Sequence, residues 1–67
     1  MTKNQEELYQ ELMDQGMDEV GSRFNALVLK NDNQIHAMMK FLQETKDIPI
    51  TPTELWRVRT QIEKTVQ

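Results

Sequence analysis

The sequence predicts an all-α fold, either a small three-helix bundle or a helical hairpin plus a C-terminal helix, expected to pair as a homodimer. Three observations lead there. Apolar residues recur at three- and four-residue spacing through most of the chain. A dense set of helix-start signals stands at residues 50–55. The chain has only 67 residues and no cysteine, so tight helix packing or self-association must supply the stability that a small core and absent disulfides cannot.

The first helix is expected over about 4–30. Thr2 with Gln5 and Asn4 with Glu7 both have capping-box spacing. Glu6 and Glu7 fall in the first turn, where negative charge complements the helix dipole. Beyond them Tyr9, Met13, Met17, Val20, Phe24, Leu27 and Val28 lie on one narrow stripe, flanked by Leu8 and Leu12. Gly16 and Gly21 interrupt the run, each at a cost of up to ~1 kcal/mol relative to alanine in a helix. Gly16 can end one helix with Asp18 capping the next. The stripe keeps phase across both glycines, however, which favours one helix, kinked at most.

Lys30-Asn31-Asp32-Asn33 is the clearest interior break, because Asn and Asp compete for backbone hydrogen bonds. The alternative is an uninterrupted rod of some 40 residues, with Asn31 as a register-fixing polar position in a coiled coil. The turn is the favoured reading, and it places a second helix over about 33–45. In that helix Ile35, Met38, Met39 and Leu42 share a side that Ala37 and Phe41 widen. The apolar arc exceeds the ~100° stripe of an ordinary surface helix. Such a helix needs neighbours on two sides and belongs at the centre of the bundle.

A third helix starts at Pro52 and runs to about 66. Thr51 is the N-cap, Pro52 the first helical residue, Glu54 the capping-box partner, and Ile50 with Leu55 the hydrophobic staple. Leu55, Val58, Ile62 and Val66 form its apolar face, with Trp56 at the edge and Arg59 between.

Little in this chain suggests catalysis. It has one histidine, His36, and one serine, Ser22, which no elbow-type turn surrounds. Ser22 reads as a surface hydroxyl and His36 as a solvent-side neighbour of the core. Asp32 and His36 are four apart but fall short of the four ligands of a structural zinc site. Adjacent acids such as Glu6/Glu7 and Asp18/Glu19 point about 100° apart on a helix and do not converge. Two glycines within a helical run make no phosphate loop. No enzyme activity, cofactor or metal is therefore expected.

The net charge of −3 is uneven. Residues 1–20 carry six acids against Lys3, while residues 21–67 carry seven bases against five acids. An acidic balance argues against nucleic acid. Arg57, Arg59 and Lys64 in helix 52–66 nonetheless keep a small DNA-binding transcriptional regulator as the alternative. No apolar run approaches a membrane span. The start of the chain lacks a signal-peptide core, so a cytoplasmic location is expected.

The favoured function is a protein–protein interaction module: a regulator, adaptor or inhibitor of a partner protein. Tryptophan and arginine are enriched at binding hot spots, and methionines suit adaptable surfaces as well as cores. Partner contact is assigned to Trp56, Arg59, Glu63, Met38 and Phe41, with the acidic first helix steering the approach. The competing reading packs Trp56 into the chain's own core beneath a cation–π contact from Arg59.

Overall fold

A computed structural model describes residues 1–66 of the chain. Among them there are four helices and no strand: α1 (Lys3–Asp14), α2 (Glu19–Val28), α3 (Asp32–Glu44) and α4 (Pro52–Thr65). The all-helical class holds, and the expected helix over 4–30 is corrected to two.

The capping box of Thr2 and Gln5 starts α1. The Thr2 hydroxyl accepts from the Gln5 N–H at 3.2 Å, and the Gln5 carboxamide oxygen accepts from the Thr2 N–H at 2.9 Å. Gly16 ends it. Its φ of +95° lies in the left-handed region that glycine alone enters without strain. The Met17 N–H donates to the Leu12 carbonyl at 3.1 Å and the Gly16 N–H to that of Met13 at 3.0 Å. These are the two bonds of a Schellman motif, which satisfies carbonyls a helix end otherwise leaves unpaired. The stripe's phase was therefore no evidence of continuity.

The turn expected near Asn31 is present. The Asn31 side chain accepts from the Asn33 N–H at 2.7 Å and caps α3, so there is no forty-residue rod. At the last start, the Thr51 hydroxyl accepts from the Glu54 N–H at 3.1 Å with Pro52 in the first turn. Leu55 is buried and Ile50 packs against the same core, as the staple requires.

The broad apolar arc of α3 has the two neighbours it called for: α3 packs against α1 and α4, and α1 against α2. Ile35, Met38 and Leu42 are almost fully buried at the centre. Leu8 and Leu12 reach them from α1, Leu55 and Ile62 from α4, and Ala26 and Leu29 from α2 and its end.

Three glutamine amides tie helices together at their ends. The Gln5 amide donates to the Leu29 carbonyl at 3.1 Å, that of Gln15 to Leu42 at 2.8 Å, and that of Gln34 to Val66 at 2.8 Å. Each acceptor lies at or near a helix C-terminus. Since α1, α2 and α3 carry no basic residue in their last turns, amide donors from neighbouring elements take that role at two of these ends.

Candidate protein-binding groove between α2 and α4

Helix α2 reverses the expected amphipathic pattern. Its buried residues are Ser22, Asn25 and Ala26, while Val20, Phe24 and Leu27 are 72%, 55% and 42% exposed. The stripe that runs from Tyr9 to Val28 on paper places its α2 part outward, and its supposed flank, Leu8 and Leu12, makes the core. The break at residues 15–18 decouples the rotations of the two helices. Small side chains on the inner side of α2 then let it settle closely on α1.

Gly21 leaves room for the side chains of the segment that leads into α2. A Cβ there would stand 2.6 Å from Asp18 Oδ1 and 3.3 Å from Met17 Cγ and Sδ. Asn25 is held inward by donating to the Gly21 carbonyl at 2.7 Å and to the Met17 sulfur at 3.7 Å.

Because α2 and α4 are tied to the bundle mainly through α1 and α3, a groove of about 370 Å³ opens between them. Buried Leu12, Leu42 and Leu55 form its apolar floor, partly buried Met17 and Ile50 add to its lining, and exposed Phe24 and Trp56 stand on its margins. Trp56 is 58% exposed, so the reading that packs it into the core is corrected.

Arg59, also at the groove, is only 7% exposed. Its guanidinium forms an ion pair with Glu63 and lies 5.3 Å from the centre of the Phe24 ring. That places the expected cation–π contact on Phe24 instead of Trp56. A charge this buried needs its partner close, which the four-residue spacing to Glu63 provides. The Arg59 Nε has no hydrogen-bond partner among the described residues.

The structure brings Trp56, Arg59 and Glu63 to this side of α4 but not the other two assigned residues. Met38 is wholly buried and cannot meet a partner. Phe41 is partly buried against the core and does not line the groove. Phe24, Val20 and Leu27, the exposed apolar side chains on α2, were absent from the assignment. The outward signal was present in the small and polar residues spaced along the other side of that helix, Ser22, Asn25 and Ala26.

Other candidate chemistry is dispersed. Ser22, expected at the surface, is fully buried with its hydroxyl unpartnered among the described residues. His36 is exposed on α3, as expected. Among the described residues no three His, Cys, Asp or Glu side chains converge to hold a metal ion. No helix among them is long and apolar enough to cross a membrane. Of the three bases assigned to a DNA-reading helix, Arg57 and Lys64 are exposed and Arg59 is not. No protein-family model matches the chain, and neither a curated protein nor a solved structure matches it.

Proposed function

We propose that the chain is a non-enzymatic protein-interaction module that works by receiving an apolar helical segment in the groove between α2 and α4. The observation that supports this reading is the pair of exposed aromatics, Phe24 and Trp56, flanking an apolar floor. Large apolar side chains held in water at the margins of a groove release free energy when a partner covers them, at ~25 cal/mol per Å² of apolar surface. Helix-in-groove recognition has this form: a polar-faced helix lays its apolar side between two others. Dimerisation, expected from the small core, belongs to the same proposal. A DNA-binding role gains nothing from an arginine withdrawn from the surface and neutralised by Glu63.

The test is quantitative capture of partners from a native host lysate by the wild-type chain and by Trp56→Ala and Phe24→Ser. Loss of capture with an unchanged far-ultraviolet circular-dichroism spectrum is the expected result. Equal capture by all three proteins overturns the reading.

A further inference from the structure

We infer that the chain closing the groove is a second copy of this one, docked about a two-fold axis with each Phe24 set against the other's α2–α4 surface. The inference rests on reading the groove as a protein-binding site and names its occupant. Two properties of the surface select a copy.

The first is self-complementarity. A two-fold interface uses the same patch on both subunits, so the patch must carry both projections and the recess that accepts them. Here Phe24 and Trp56 project beside the recess lined by Met17, Ile50 and Leu55. Antiparallel pairing of two α2 helices about Phe24 sets Val20 of each copy near Leu27 of the other.

The second is charge. Bringing like charges together across an interface is costly, and a copy has the same charges as its mate. Residues 1–20 carry −5, and Glu6, Glu7 and Asp14 of α1 are exposed, so α1 would repel its own copy. Few charges line the α2–α4 groove, and its one base, Arg59, is already paired with Glu63 within the chain. Asp18 is the other charged residue in its lining, opposite in sign to Arg59. Apolar area and electrical balance coincide on this face, which is what self-docking needs. A basic partner would instead favour α1.

Sedimentation equilibrium of the full chain across the micromolar range tests this. The expected result is a reversible monomer–dimer equilibrium, weakened at least about tenfold in Kd by Phe24→Glu and by Trp56→Glu, each a hot-spot loss. Glu7→Gln, on the acidic side of α1, is expected to leave the Kd unchanged. Both aromatic side chains are more than half exposed, so each variant should fold, and circular dichroism checks this. Should Phe24→Glu unfold, Trp56→Glu decides alone. A dimer unaffected by the folded variants overturns the proposal by placing the contact elsewhere. A wild-type chain that stays monomeric also overturns it. In that case a synthetic amphipathic helical peptide separates the two readings: a Trp56 emission shift on its addition leaves the groove as a binding site for another protein. Absence of a shift removes both.

Discussion

A methyl group added at Gly16 meets no atom within 4 Å, yet the residue sits at φ +95°. Sterics outside the chain's own backbone therefore predict no cost for Gly16→Ala, whereas backbone conformation predicts about 1–2 kcal/mol. Urea denaturation is expected to show that loss with an unchanged m-value. Gly21 is the opposite case. Alanine gains roughly 1 kcal/mol of helix propensity there, but its Cβ displaces the Asp18 carboxylate and presses on Met17. Gly21→Ala is accordingly expected to change stability little while narrowing the groove. Arg59 and Glu63 divide in the same instructive way. Removing the partner of a buried charge costs more than replacing the charge with an apolar chain of similar length. Glu63 is 37% exposed, which tempers the effect, so Glu63→Gln is expected to lose about 1–3 kcal/mol. Arg59→Met should be near neutral, and adding Glu63→Gln to it should cost almost nothing. Thermal unfolding of the three variants checks the order.

Local signals made three of the four helix starts readable, because a cap is a bond between residues two or three apart. Thr2 with Gln5, Asn31 with Asn33 and Thr51 with Glu54 each form one. The apolar arc of α3 was equally legible, since a helix buried on two sides must be apolar on both. Helix α2 was not. Its stripe continued that of α1 in phase, and the left-handed turn at Gly16 that separates them depends on backbone dihedrals which many glycines never use. Ser22, Asn25 and Ala26 share one side of the helix in the sequence, but that this side faces inward follows from how closely α2 approaches α1, a tertiary fact. Ser22 now yields a prediction at this scale. Its hydroxyl is buried without a partner among the described residues, and a buried unsatisfied polar atom costs ~1–3 kcal/mol. Ser22→Ala removes that atom and leaves the close packing of α2, so a rise in melting temperature is expected. A fall would mean that the hydroxyl has a partner, such as a bound water, that holds α2 in place.

The same reversal of α2 produces the candidate site for the whole molecule. In a chain of this size, apolar side chains turned outward are lost to the core, and Val20, Phe24, Leu27 and Trp56 are all so turned. The aromatic half of that site on α4 was readable, because Trp56 stands at the edge of a helical stripe. The half on α2 was not, because it needed the rotation just described. If these residues meet a second copy, folding and association are linked, and stability must depend on protein concentration. The melting temperature is expected to rise with concentration for the wild-type chain and to stay flat for Phe24→Glu. Salt supplies an independent sign. Each copy carries −3, so long-range repulsion opposes pairing, while the paired charges on the docking face gain little from one another. Screening shortens the reach of that repulsion, to ~8 Å at physiological ionic strength. Added salt should therefore tighten the dimer, where an interface built on an acidic surface and a basic partner would loosen. Sedimentation equilibrium at low and high salt reads the sign, and a weaker dimer at high salt would mean that charge attraction, not the apolar groove, holds the two copies together.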